Sequence, residues 1–443
     1  MAKPNTGLMN GLGDIRAMWE SSGLKSKLIF TIAMLAVFRL GAQIPVWGVH
    51  PERIQHLLGS QMLGFLDMFS GGALTSVSIL ALGIGPYITA SIIMQLVTVA
   101  IPRLEEIQKE EGEAGRRKIS QYTRYLAVVL AIFQSALIMR LISSAGAIDP
   151  GIQPWIFYTQ AILALTAGAV FAFWLAEMIT ERGVGNGGSL LIFSGILSRI
   201  PFYWTRTETL VAGDSQKSFF LVVLLLFYLL TIGAIIVLQE ATRKIFIVSA
   251  KRQVGNRVYG GQNTHIPFKI NAAGVMPIIF AFAVLAFPST IFALLQQQHP
   301  TGILLEIVRF YERYLSAGKP AYIIVEFVLI VFFTFFYSSI VPSMQPREIA
   351  DNLKKYGSSI PGIKPGRPTS EKLQEILSRT TFIGAFALAI ITLVASSATS
   401  ITGITTLNGL GATSLIIMVG VALDTVNQIR VHMLARQYEG FLK

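Results

Sequence analysis

The residues best suited to bond chemistry are few in this 443-residue chain, and they are not grouped. Its histidines, His50, His56, His265, His299 and His432, lie in connecting segments and at one end of an apolar stretch. Neither a metal-holding HExxH pair nor a membrane-embedded Ser/His dyad can be drawn from them. A GxxxxGK[ST] loop for nucleotide phosphates is absent, so any energy must come from a partner. Cysteine is absent too, which excludes disulfides and thiolate metal sites. Arg39, Glu326 and Asp424 stand inside apolar stretches. An ion relay gathers such groups at one depth, whereas these are scattered singly. They read as buried pairs or as side chains reaching for the membrane surface. An enzyme is not expected, and no cofactor or metal is implied. The informative polar residues lie in one apolar run: the sequence Gly83-Ile84-Gly85-Pro86-Tyr87, where Pro86 predicts a helix kink, followed by Thr89 and Ser91.

The elements that must position these residues are membrane helices. Apolar stretches of about twenty residues, the length that crosses a bilayer core, lie at roughly 28–47, 77–98, 121–142, 155–176, 188–204, 219–238, 272–295, 320–341, 380–400 and 408–429. The bilayer forces helix on them, because unpaired backbone groups cannot be left in lipid. The expected fold is an all-α integral membrane protein of ten transmembrane helices. Between these spans, Lys and Arg alternate: one set of alternate segments holds 25 and the other 6. Basic segments stay in the cytoplasm, so both termini are expected inside. The composition agrees, with 53% hydrophobic and 14% charged residues and a mean hydropathy of +0.60. The net charge of +12 falls in cytoplasmic segments, where it can attract anionic lipids, acidic proteins or RNA. Residues 1–27 are too polar for a cleavable signal and read as a short surface helix with Leu12, Ile15, Met18 and Trp19 on one face.

Ten spans divide into halves of five, 28–212 and 213–433, followed by a cytoplasmic tail at 434–443. Five is odd, so the second half would enter the membrane from the opposite side, as in inverted repeats around a central path. Two basic cytoplasmic loops, 240–270 and 342–372, are long enough to be working parts. Their Gly and Pro residues predict ordered turns with little helix at the tips. The anomaly is 61–78 (QMLGFLDMFSGGALTSVS), too apolar for a solvent loop and too polar to span. A short broken helix entering from outside fits it, with an interfacial helix on the outer surface as the alternative; re-entrant backbone survives at membrane depth only where protein or a water-filled cavity surrounds it.

Two stretches carry a family resemblance: SILALGIGPYITASIIMQ at 78–95 and WLAEMITERGVGNGGSLLI at 174–192. They resemble the hallmark segments of the protein-conducting channel family, SecY in bacteria and Sec61α in eukaryotes. GEAGRRKISQYTRY at 112–125, NAAGVMP at 271–277 and PREIADNLKKYGSSIPGIKPG at 346–366 look like further parts of the bacterial branch. The likeness is colinear from about Gly11 to Tyr438. It implies a clamshell of two pseudo-symmetric five-helix halves around an hourglass pore. Unfolded secretory proteins would cross it, and hydrophobic segments would leave sideways into lipid. On that basis 61–78 is a plug, including Asp67, Phe69, Ser70, Gly71 and Gly72. Matching the family pattern position by position puts Ile84, Ile88, Ile192, Ile196, Ile279 and Ile417 in an apolar constriction, which seals by dewetting. Thr89, Ser91 and Gln95, with Asn271, Pro277 and Phe287, would line a lateral gate. Lys251, Arg252 and Arg257 on one loop, and Arg347, Lys354, Lys355 and Lys364 on the other, would dock a ribosome and a SecA-type motor ATPase. The resemblance further implies SecE-like and SecG-like small membrane subunits, a signal peptide and preprotein as clients, and a bacterial plasma membrane as the location. The chain departs from the pattern at Asn256, where relatives often carry a second arginine, and at Gly188, where a branched aliphatic is usual. The rival reading is a secondary transporter of small solutes, also built from inverted repeats, with a selective site at mid-membrane.

Overall fold

The computed structural model describes residues 22–50, 67, 70–144, 146–148, 151–249, 252–254, 257–259, 263–297, 302–316, 319–340, 345–402 and 411–440. The expected leader helix, Phe69, Lys251 and Asn256 lie outside them, as do 61–66 of the anomalous segment. The chain divides into two compact units, Met1–Pro201 with Val421–Lys443, and Phe202–Gly420.

The first unit opens with α1 (Ser22–Gly41); turns follow it as far as 48, and a turn-rich segment at 70–84 precedes the next helix. It continues with α2 (Gly85–Ala100), α3 (Pro102–Glu110), α4 (Gly112–Ser144), α5 (Pro154–Arg182) and α6 (Gly187–Val211), the last crossing into the second unit. Pro86 does not kink a helix, as its sequence context predicts; it occupies the first turn of α2, where a missing amide costs nothing. The real bend comes at Ile101, between α2 and α3, where the axis turns by 105°. Ile101 precedes Pro102 and is driven to extended backbone (φ −107°, ψ 108°), which ends the helix there. α5 approaches the turn-rich segment so closely that a methyl at Gly168 would meet the Ile79 carbonyl.

The second unit contains α7 (Ser215–Glu240), strands β1 (Thr242–Ser249), β2 (Arg252–Val254), β3 (Arg257–Tyr259) and β4 (Asn263–Lys269), then α8 (Met276–Gln297) and α9 (Ile303–Phe310) with a π-helical turn at Tyr311–Leu315. It ends with α10 (Pro320–Ile340), α11 (Pro346–Lys355), β5 (Ser358–Ser359), α12 (Arg367–Thr402) and the start of α13 (Ala412–Gly440). Asp214 caps α7 by accepting the amides of Lys217 and Gln216, and these bonds hold its carboxyl below the usual range. Among the described residues, six helices are long and apolar enough to cross a bilayer, or seven if α2 and α3 count as one broken span.

The strands correct the all-α expectation. β1 is flanked by β4 and β5 in an antiparallel sheet of order β4-β1-β5, with Ile245 opposite Ile266 and Val248 opposite both Asn263 and Ser359. The reason lies in TRKIFIVS, where β-branched residues and Phe alternate between two faces as a strand requires. Ile245 and Ile247 are buried while Phe246 and Val248 are exposed, the period-two signature. α11 also occupies more of its loop than the expected turns allow, and among the described residues of that loop turns remain only around 356–366. Ile245, Phe268, Ala350, Leu373, Ile376 and Leu377 form a hydrophobic core shared by β1, β4, α11 and α12. The two basic loops are therefore one folded module.

Candidate functional site

The turn-rich segment owes its shape to polar contacts rather than to regular structure. Asp67 is buried; its backbone carbonyl accepts the Gly72 amide at 2.8 Å and its Oδ1 accepts the Thr75 amide at 2.7 Å. Ser70 Oγ donates to the Asp67 carbonyl at 3.0 Å and accepts the Leu74 amide at 3.2 Å. Two arginines from neighbouring helices close over this knot. Arg199 on α6 forms an ion pair with the Asp67 carboxylate and donates to the Thr75 hydroxyl. Arg39 on α1 donates to the Gly71 carbonyl at 2.5 Å, and Ser198 on α6 donates to the same oxygen at 3.4 Å. Gly71 (φ 68°) and Gly72 (φ 91°) are left-handed, and both are hemmed in. A methyl at Gly71 would sit 2.9 Å from the Gly195 Cα and 3.0 Å from Arg39, and one at Gly72 would sit 2.9 Å from the Arg199 guanidinium. The segment is also stitched to the end of α1, with Val46 donating to Val77 at 2.8 Å and Ile79 to Ile44 at 3.0 Å. Arg199 and Thr75 are absent from the site residues expected from sequence, and Arg39 stands out there only as a charge inside an apolar stretch. The signal was present: a buried aspartate in an apolar segment demands a cation.

Ile84 ends the segment as the residue before α2, buried, with part-buried Ile88 one turn on. Ile192 and Ile196 are buried on α6. Gly188, in the first turn of α6, leaves room for Ile84, whose Cδ1 would lie 3.4 Å from an added methyl. In the second unit, Ile279 in the first turn of α8 and Ile417 on α13 are buried. Of the gate candidates, Thr89 donates to the Gly85 carbonyl at 3.1 Å and Gln95 donates to the Ser91 hydroxyl at 3.1 Å, so all three bond along α2 itself. Asn271 is buried and donates to the Gly274 carbonyl at 3.0 Å, fixing the turn that leads into α8. Pro277 is the second residue of α8, and part-buried Phe287 precedes its internal Pro288. Among the basic candidates, Arg252 on β2 pairs in register with Tyr259, and Arg257 on β3 with Val254. Arg347, Lys354, Lys355 and Lys364 are exposed on the module that the shared core holds together. Arg124 and Glu177, at the ends of two spans, pair at 2.8 Å.

Comparison with known proteins gives this geometry a lineage. A family model described as SecY matches residues 78–426. The chain is 44% identical over 430 residues to the protein translocase subunit SecY of Synechocystis sp., covering 96% of each. It is similar in fold to a structure concerned with the plug domain of SecY and the closed state of the translocation channel, with a TM-score of 0.66, 18% identity and 93% of each chain covered. It is likewise similar to Sec61 in the canine ribosome-channel complex, with a TM-score of 0.61, 17% identity and 93% of each chain covered. A multi-pass membrane protein with these helices and this degree of likeness along its length belongs to the SecY family of protein translocase subunits, and its role is that of a protein-conducting channel.

Proposed function

We propose that this chain is the central pore-forming subunit of a Sec translocon in a bacterial plasma membrane. It passes unfolded secretory proteins outward and releases hydrophobic segments sideways into lipid. Ten spans in two five-helix halves, with both termini cytoplasmic, form the clamshell, and 61–78 is its plug. Ile84, Ile88, Ile192, Ile196, Ile279 and Ile417 make the constriction. It holds a passing chain without sequence preference, because the hydrophobic effect is non-directional. Thr89, Ser91, Gln95, Asn271, Pro277 and Phe287 line the gate, where small and polar residues let helices pack and part again.

The observation that carries the reading is the segment from Asp67 to Ile84. Its described residues are irregular, interrupted by polar side chains and packed inside protein against α1 and α6. Lipid does not tolerate such backbone, and a closed aqueous path needs an obstruction of this kind. The folded basic module supports docking of a SecA-type motor and a ribosome, and the similar canine Sec61 belongs to a ribosome-channel complex. Arginine suits both, since its fork binds phosphates and carboxylates. SecE-like and SecG-like subunits and anionic lipids complete the assembly. The test is ion conductance of the purified protein in planar bilayers, with and without residues 62–77. The deletion is expected to pass large, poorly selective currents while the intact protein stays closed. Silence from both would remove the plug, and saturable flux of one small solute would favour the transporter.

A further inference from the structure

The contacts around the glycine pair assign a function to three charged residues that span packing alone does not require. We propose that Arg39 and Arg199 are a two-point latch on the plug, with Asp67 as its catch. The proposal rests on the plug reading above.

Between them the two arginines hold both ends of one short turn. Arg199 engages the Asp67 carboxylate and the Thr75 hydroxyl, while Arg39 takes the Gly71 carbonyl. Asp67 in turn holds the Thr75 amide, so one carboxylate organises the turn internally and ties it to α6. The backbone at Gly71 and Gly72 threads between the guanidiniums, and the glycines are needed because any side chain there would meet one of them. The side chains of Arg199 and Asp67 are only 13% and 7% exposed. Removing either partner therefore leaves a buried charge without its counter-ion.

This kind of attachment has a built-in release. The attraction between two charges falls in proportion to the dielectric around them. In a dry closed channel the latch is strong. When a translocating chain parts the constriction and admits water, the same ion pair is screened and lets go. A plug held by apolar packing alone would lack this dependence, because its attraction is not set by the dielectric between charges. The latch thus makes closure depend on dryness, and it re-forms when water leaves.

The experiment is a double-mutant cycle on conductance, comparing wild type, Asp67→Asn, Arg199→Gln, the double variant, Arg199→Lys and the 62–77 deletion in planar bilayers. Each neutralised single variant is expected to raise the resting open probability by about tenfold or more. The double variant should leak no more than the leakier single, because both remove one interaction. Arg199→Lys, which keeps the charge, should stay nearer wild type. Single variants as silent as wild type beside a conducting deletion would overturn the latch and leave the plug standing. Leaks that multiply in the double variant, or a lysine variant as leaky as the glutamine, would also overturn it, since the residues would then act by packing rather than pairing. A silent deletion would remove the plug itself and the latch with it.

Discussion

At the scale of single residues, two glycines make opposite demands. Gly71 is left-handed and in contact with backbone and a guanidinium, so Gly71→Ala meets both a forbidden dihedral and a clash. The substitution is expected to destabilise the closed segment by roughly 1–3 kcal/mol, read as a lowered thermal midpoint and a raised resting conductance. Gly188 stands in the first turn of α6, where an added methyl would lie 3.3 Å from Asn186 Oδ1 and 3.4 Å from Ile84, so only a small side-chain shift is required. Gly188→Ala should be neutral or stabilising by up to about 1 kcal/mol, through helix propensity alone. An equal loss from the two variants in the same melting experiment would refute the distinction. Sequence distinguishes neither glycine from the other. The atoms that crowd Gly71 belong to Arg39 and Gly195, which lie far along the chain. The same distance hid Arg199: its counter-ion is 132 positions away, and a span-by-span reading treats it only as a rim charge.

Elements were legible where the solvent dictates them. A continuous apolar run must be helix in lipid, so α4, α5, α7 and α10 lie where hydropathy places them. What hydropathy misses are the places where lipid no longer decides. Pro86 starts a helix because Ile84 already ends an irregular segment. The bend at Ile101 depends on the residue before a proline, not on polarity. The sheet of the basic loops needs β1 to meet β5, more than a hundred residues later, and no window of the sequence contains both. Its core is nevertheless small enough to test. Leu373→Ala removes a side chain that is 1% exposed at the centre of the module. That change should cost about 2–5 kcal/mol within the module. Limited proteolysis should then cut within 242–270 and 345–366 while the spans stay intact. Equal resistance in the variant and the parent would show that the loops do not share a core.

For the molecule as a whole, the alternation of basic segments makes a prediction that the cysteine-free chain is suited to check. A single cysteine placed at Lys364 should be sealed from a membrane-impermeant thiol reagent in intact cells, and one placed at Asp214 should be labelled. The pattern should invert in inside-out vesicles, and the same sidedness for both positions would break the topology. The family, the channel role and most spans were legible because they are written in hydropathy, charge and colinear motifs. The latch and the module were not, because each is assembled from residues that meet only after folding. The module also brings a mechanical consequence. α12 runs unbroken for 36 residues, from the core at Leu373, Ile376 and Leu377 through its apolar stretch. At 1.5 Å per residue it is a beam of about 54 Å. A tilt of about 5° at the core is therefore carried along the beam and swings its far tip, roughly 40 Å away, by about 3–4 Å.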